Sequence, residues 1–254
     1  LAAHFILGGS ELWGFLPDPL PLAIGPLLTL IPAFLLVRAL GASEREATNI
    51  SLGAWTGVAA AIARLKLLID GEEHLWSDRP AVFIFNHQSA VDVLITARML
   101  REDVIGVAKK EIKHQLPMGI AFTYTGTVFI DREHVGDPRL ALKPAVDALR
   151  SGRSVVIAPE GTRSRDGKIQ PFKKGGFVMA IDSGVPIVPV IISGTRAIMT
   201  KGKFRVNPGQ IRMSIQQPIN TITYSRGTKE ALMGNVRRVI CDNFETSGVD
   251  EWPS

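Results

Sequence analysis

From about residue 70 onward, short apolar segments alternate with longer amphipathic ones, a pattern typical of α/β domains. The predicted strands span 81–85, 104–108, 127–130, 154–158, 187–192 and 210–215, and the predicted helices span 90–100, 110–122, 139–150, 175–183 and 228–246. This alternation predicts a mostly parallel sheet flanked by helices on both faces. In such a sheet the loops that follow the strands share one edge, where ligands bind.

The N-terminal part of the chain has a different pattern. Residues 20–37 carry no charged side chain, and as a helix they would be about 27 Å long, slightly shorter than a hydrocarbon core. A second uncharged run, 47–63, ends in the amphipathic segment 64–69. We therefore predict an apolar two-helix hairpin over 1–69 that associates with a membrane, preceding a catalytic domain over 70–254. A transmembrane hairpin, or two helices buried against the domain, would produce the same pattern.

Composition narrows the class of protein. Of the 254 residues, 46% are hydrophobic and 21% are charged, which excludes a disordered chain. The net charge of +5 favours an anionic partner, and no basic run interleaved with aromatic residues supports nucleic-acid binding. The single cysteine, Cys241, rules out an internal disulfide. The first residues have no signal-peptide features, and the start at Leu1 predicts a processed or truncated product.

A histidine and an aspartate, His87 and Asp92, follow the apolar segment 81–85 directly. Five helical residues rotate by about 500°, so the two side chains meet only if His87 lies in a loop and Asp92 in the following helix. Ser89 as N-cap, with Asp92 three positions later, predicts that helix. Asp92 would then hold one ring nitrogen of His87, and the other would act as a general base. Alternatively, Ser89 and Asp92 only cap the helix, and His87 is a polar loop residue.

Other charged side chains follow the remaining strands. The basic ones are Lys109 or Lys110, Arg132 and Arg163. Guanidinium and ammonium groups at one sheet edge predict a phosphate clamp. Glu160 lies in a turn-prone loop, where it would hold an arginine or bind a substrate hydroxyl. The sequence contains no Walker-type loop and no nucleophile-elbow serine, so neither nucleotide binding by that route nor a serine acyl-enzyme is supported.

Four segments of the chain, in this order, resemble the motifs of the 1-acylglycerol-3-phosphate acyltransferases. They are Asn86-His87-x4-Asp92, Phe129–Arg132, Pro159–Ser164 and Val185–Val190. The resemblance implies transfer of a fatty acyl group from acyl-CoA or acyl carrier protein to the free hydroxyl of lysophosphatidate. The product would be phosphatidate, made for phospholipid synthesis at the cytoplasmic face of a membrane. The implied co-substrate is acyl-CoA, and neither a cofactor nor a metal is expected.

The resemblance also implies roles for single residues. The implied base is His87, with Asp92 as its orienting partner. The implied phosphate ligands are Arg132, Arg163 and Lys109, and the implied acceptor-site residues are Glu160, Gly161 and Thr162. Ala158 stands where many members have an aromatic residue, a departure that affects the shape of the pocket rather than the chemistry.

Two further hypotheses remain open from the sequence. Within the same chemistry, the acceptor would be glycerol-3-phosphate, another lysophospholipid or a glycolipid. From a different class, the chain would be a non-catalytic module that binds anionic lipid through its basic face and hairpin. We also expect an acyl-chain channel that opens at the edge of the sheet.

Overall fold

A seven-stranded sheet organises the chain. The computed structural model describes residues 26–100, 102–115, 118–131, 138–200 and 206–246. The strands are β1 Leu65–Asp70, β2 Val82–Phe85, β3 Val104–Lys109, β4 Val128–Ile130, β5 Ser154–Ile157, β6 Ile187–Ser193 and β7 Gly209–Ile215. Their order in the sheet is β1-β7-β6-β2-β5-β3-β4. All neighbouring strands are parallel except β6 and β7.

Helices cover both faces of this sheet. They are α1 Ile31–Ala39, α2 Glu44–Ile62, α3 Val91–Met99, α4 Met118–Tyr124, α5 Pro138–Arg150, α6 Gly175–Ser183, α7 Thr195–Ile198 and α8 Lys229–Thr246. Short helical turns occur at Pro26–Leu30, Glu72–Leu75 and Lys110–His114. One apolar layer joins the sheet to α5, α6 and α8, and a second joins it to α3 and α7. The predicted mostly parallel sheet flanked by helices is confirmed.

Strand β2 lies near the centre of the sheet and is buried on both faces. Side chains alternate along a strand, so Val82 and Ile84 enter one apolar layer while Phe83 and Phe85 enter the other. A strand that is apolar on both sides fits only between two covered faces. The residues that follow β2 therefore emerge at the carboxyl edge of the sheet, beside those that follow β5 and β6.

Two predicted elements differ from the structure. The segment Leu65–Asp70, expected to end the hairpin, is instead strand β1 and pairs in parallel with β7. Its apolar residues Leu65, Leu67 and Ile69 pack on the sheet's core with a period of two, which outweighs the preceding helical pattern. The helix predicted over 110–122 is divided into the Lys110–His114 turn and α4. Pro117 in the sequence disfavours helical geometry at the residue before it.

The helices α1 and α2 pack against each other before the sheet begins. Helix α2 begins with a capping box, in which Ser43 and Glu46 exchange side-chain and backbone hydrogen bonds. Helix α1 buries none of its residues. In the described part of the chain, no helix combines the length and the apolar character needed to cross a bilayer. The beginning of the predicted hairpin, up to residue 25, lies outside the described residues, and its association with a membrane stays a prediction.

Candidate active site

The side chains of His87 and Asp92 meet at the carboxyl end of β2. His87 lies in the loop, Asp92 lies in the first turn of α3, and Nδ1 of His87 is 2.9 Å from Oδ2 of Asp92. The predicted contact is therefore confirmed. An ionised carboxylate only accepts hydrogen bonds, so His87 donates from Nδ1 and its Nε2 is left as an acceptor. Asp92 is fully buried, whereas the His87 side chain is 16% exposed.

The Asp92 carboxylate accepts four hydrogen bonds. Besides the His87 ring, Oδ2 accepts the backbone N–H groups of Gln88 at 2.7 Å and Ser89 at 2.8 Å. The hydroxyl of Thr195 donates to the other oxygen, Oδ1. These donors compensate the buried negative charge and fix the plane of the carboxylate.

Ser89 has a different role from the predicted N-cap. Helix α3 begins at Val91, and its N-cap residue, Ala90, makes no side-chain capping bond. The Ser89 hydroxyl accepts the Val91 N–H at 3.3 Å and donates to the carbonyl of Met199 at 2.7 Å, joining the loop after β2 to the segment that follows α7. The expected reciprocal bond is present, since the Asp92 carboxylate reaches back to the Ser89 N–H.

The loop after β2 is also fixed by Asn86, to which the sequence interpretation gave no role. Its buried amide donates to the carbonyl of Ile192 and accepts the Ile192 N–H, both at 2.8 Å. The side chain thus continues the pairing of β2 with β6 by one more residue. An amide directly after a buried apolar strand is the signal in the sequence that indicates such a contact.

Glu160 binds the backbone on the other side of His87. One carboxylate oxygen accepts the His87 N–H at 2.6 Å, and the other accepts the Gln170 N–H at 2.7 Å. Burial raises the pKa of this carboxyl, and the two backbone bonds oppose that shift. The Ser164 N–H donates to the His87 carbonyl at 2.8 Å, so the loop after β5 contacts His87 through both peptide groups. The structure gives Glu160 a positioning contact, and its acceptor-site role stays a prediction.

A cavity of about 290 Å³ lies between α2, α3, α4 and β3 and extends to His87. Its polar lining comprises His87, Thr96, Lys109, Thr125, Thr127, Thr162 and Arg163, and Gly161 also lines it. Its apolar lining includes Leu52, Trp55, Val93, Leu100, Val107, Ile112 and Phe122. The expected channel thus has a counterpart in the structure, and its use for an acyl chain stays a prediction.

The predicted phosphate ligands divide into two groups. Lys109 and Arg163 both line the cavity that extends to His87. Arg132 lies outside the described residues. Lys110, the alternative to Lys109, is bound to Asp131 at 3.2 Å. Among the residues that the structure describes, no group of three His, Cys, Asp or Glu side chains is placed to hold a metal ion.

The chain is similar to proteins named as 1-acyl-sn-glycerol-3-phosphate acyltransferases. The chain is 37% identical to the 1-acyl-sn-glycerol-3-phosphate acyltransferase of Limnanthes douglasii over 65% of its length, covering 58% of that protein. It is 29% identical to the human 1-acyl-sn-glycerol-3-phosphate acyltransferase alpha over 73% of its length, covering 66% of that protein. The chain thus spans about three fifths of the length of these relatives.

A solved structure has the same fold. The crystal structure of the 1-acyl-sn-glycerophosphate acyltransferase PlsC from Thermotoga maritima matches with a TM-score of 0.74 and 24% identity, over 91% of this chain and 97% of that one. A family model described as Acyltransferase matches residues 66–193, half of the chain. This match begins within β1 and ends with β6, so it includes the His87–Asp92 pair and the Glu160 loop. The chain belongs to the acyltransferase family.

Proposed function

We propose that the protein is a membrane-associated 1-acyl-sn-glycerol-3-phosphate acyltransferase that uses acyl-CoA as donor and produces phosphatidate. The observation that carries this proposal is the His87–Asp92 pair, 2.9 Å apart, beside a largely apolar cavity. A general base next to space for an acyl chain is the arrangement that acyl transfer to a hydroxyl requires. The relatives' names, 1-acyl-sn-glycerol-3-phosphate acyltransferases, support the acceptor.

His87 acts as the base in one direct displacement. Its Nε2 takes the proton of the acceptor hydroxyl as the oxygen forms a bond to the thioester carbonyl carbon. The tetrahedral intermediate collapses, the carbon–sulfur bond breaks, and the thiolate takes the proton back from His87. Asp92 stabilises the imidazolium that exists between these steps, because its carboxylate is 2.9 Å from Nδ1.

The two substrates occupy different parts of the site. Lys109 and Arg163 both line the cavity. As cationic side chains they bind the phosphate of the acceptor. Arg132, which follows β4, is proposed as a third phosphate ligand. The acyl chain fills the apolar part, and every methylene buried there contributes about 0.8 kcal/mol to binding. Holding both substrates in this way supplies most of the rate enhancement, since a thioester is already activated.

The surface of the N-terminal segment supports membrane association. Leu35, Leu36 and Leu40, on or next to α1, are 58%, 61% and 79% exposed, and Leu28 is 64% exposed. Burying one leucine side chain in lipid contributes roughly 1.5–3 kcal/mol. Four such side chains on one short segment therefore favour the bilayer interface, where both lipid substrates are already dissolved.

The test is release of CoA by the purified chain in detergent, with acyl-CoA and lysophosphatidate, compared between the native protein and His87→Ala. Release that requires lysophosphatidate and falls at least about a thousandfold in the variant supports the proposal. His74→Ala is the matched control, because His74 is a half-buried surface histidine about 3.8 Å from a carboxylate of Glu73. This control should retain full activity.

The other outcomes of this experiment identify the alternatives. Turnover only with acyl carrier protein as donor would change the donor, and turnover only with glycerol-3-phosphate would change the acceptor. No release with any pair of substrates, together with binding to anionic vesicles that His87→Ala leaves unchanged, would replace the enzyme with a lipid-binding module.

A further inference from the structure

A threonine that follows β6 holds the far side of the Asp92 carboxylate. Its hydroxyl donates to Oδ1 of Asp92, opposite the oxygen that His87 contacts. Both Thr195 and Asp92 are 0% exposed, so water does not compete for this bond. We propose that Thr195 is a positioning residue for proton abstraction: its hydroxyl orients Asp92, which in turn orients the His87 ring. The inference rests on the proposed function.

The hydrogen bonds around Asp92 explain why this hydroxyl matters. Three donors approach Oδ2, and all of them come from the loop after β2, at 2.7–2.9 Å. Thr195 supplies the donor to Oδ1 from outside this loop, at the start of the helix that follows β6. A carboxylate held from one side only can rotate about its bond to Cβ, whereas a donor on the opposite oxygen fixes its plane. The direction of the His87 ring depends on that plane.

The fold places Thr195 at this point for a definite reason. Strand β6 runs parallel to β2 and pairs with it directly, so the ends of both strands lie at the same edge of the sheet. Gly194, with φ of 90°, makes the turn that leads from β6 into α7. Thr195 is the first residue of α7, and the carbonyl of Met199, just after this helix, accepts the Ser89 hydroxyl. The short helix is therefore attached at one end to Asp92 of α3 and, just after its other end, to Ser89 of the loop after β2.

Replacing Thr195 by valine removes the donor and keeps the shape of the side chain. We expect Thr195→Val to lower kcat by about 10- to 100-fold, the range for losing a hydrogen bond to a charged group. The KM values for acyl-CoA and lysophosphatidate should change by less than about threefold, because Thr195 touches neither substrate. Thr195→Ser keeps the hydroxyl and should retain kcat within about threefold of the native value.

Thr221→Val is the matched control. Thr221 is also buried, and its hydroxyl donates to the carbonyl of Val185 at 2.8 Å, in a different part of the domain. Its loss should lower the melting temperature without lowering kcat. If Thr195→Val is not recovered folded, Thr195→Ala removes the same hydroxyl and is judged by the same criteria.

A second measurement does not depend on turnover. The proton on Nδ1 of His87, hydrogen-bonded to Asp92, should give a downfield NMR resonance that moves in Thr195→Val and stays in place in Thr221→Val. Folded Thr195→Val with native kcat and an unmoved resonance would overturn the inference, as would an equal loss of kcat in Thr221→Val. If the native protein shows no acyl transfer, the proposed function fails, and the resonance alone still decides the role of Thr195.

Discussion

Replacing Glu160 by glutamine separates two roles for this side chain. The family resemblance implies that it binds the acceptor, whereas in the structure its two oxygens accept backbone N–H groups of His87 and Gln170 at 2.6 and 2.7 Å. Glutamine has nearly the same shape but only one acceptor oxygen, so its NH₂ group must face one of these N–H donors. The substitution therefore disturbs the contacts of Glu160 with the backbone of His87 and Gln170, whether or not Glu160 also binds the acceptor.

The size of the effect follows from these contacts. One charge-assisted hydrogen bond is lost, which costs about 1.5–3 kcal/mol, and one N–H in a 3% exposed site is left unsatisfied, which costs a further 1–3 kcal/mol or so. Removing a buried charge offsets part of this, because burial raises the pKa of Glu160 and so disfavours its ionised form. We expect a net loss of about 2 kcal/mol, or roughly 4–8 °C in melting temperature. A displaced His87 should lower kcat by about 10- to 100-fold.

The assay combines thermal unfolding with steady-state kinetics on lysophosphatidate. The control is Glu230→Gln, at a half-exposed carboxyl on α8 that pairs with Lys174 instead of contacting His87 or Asp92, and this variant should leave kcat unchanged. A positioning role predicts a lower kcat and melting temperature with a KM for lysophosphatidate within about threefold of the native value. A KM raised more than about tenfold, with kcat and melting temperature unchanged, would refute this reasoning and favour the acceptor-site role.

Three other predictions concern the cavity, the charged surface and the N-terminal helices. Gly106 lines the cavity, and a Cβ added there would make only ordinary contact with Thr127 at 3.4 Å. A leucine at this position should therefore fit and take up space in the cavity. Gly106→Leu should shift kcat/KM toward shorter acyl-CoA chains, by about fourfold per excluded methylene. A hydrogen bond from Lys174 lowers the pKa of Glu230 from 4.5 to about 2. The resulting stabilisation of the folded state is fully present above the ordinary pKa of 4.5, and it is lost as the pH falls toward 2. The melting temperatures of native protein and Lys174→Ala should therefore differ more at about pH 7 than at about pH 3. Leu36→Glu should weaken vesicle binding in co-sedimentation by at least about tenfold, and unchanged binding would exclude α1 from the membrane contact.

The parts of the site that could be predicted from sequence are those fixed by local pattern. An apolar run before His87 predicts a buried strand, and the five-residue spacing to Asp92 predicts a loop-to-helix contact, which the structure contains. Thr195 was missed because its contact with Asp92 joins residues 103 positions apart. That contact exists only because β6 pairs with β2, and strand order is not visible in local periodicity. Strand β1 was missed for the same reason, since its partner is β7.

The two halves of the site are held by different kinds of contact. The loop after β2 is fixed by hydrogen bonds to the segments that neighbour it, through Glu160 after β5, through Asn86 to β6 and through Thr195 after β6. Because such bonds have narrow geometry, the position of His87 changes little as long as the sheet is intact.

The helical wall of the cavity is held differently. Trp55 of α2 belongs to an apolar cluster with Leu94 and Ala121, which tolerates changes of shape better than a hydrogen-bond network does. The polar attachment of α2 is near the surface, where Asn49 and Asp103 exchange hydrogen bonds of 3.3 and 3.2 Å. A substitution in α2 can therefore reshape the cavity proposed for the acyl chain without moving His87. Chain-length preference should vary independently of the proton-transfer chemistry in this fold.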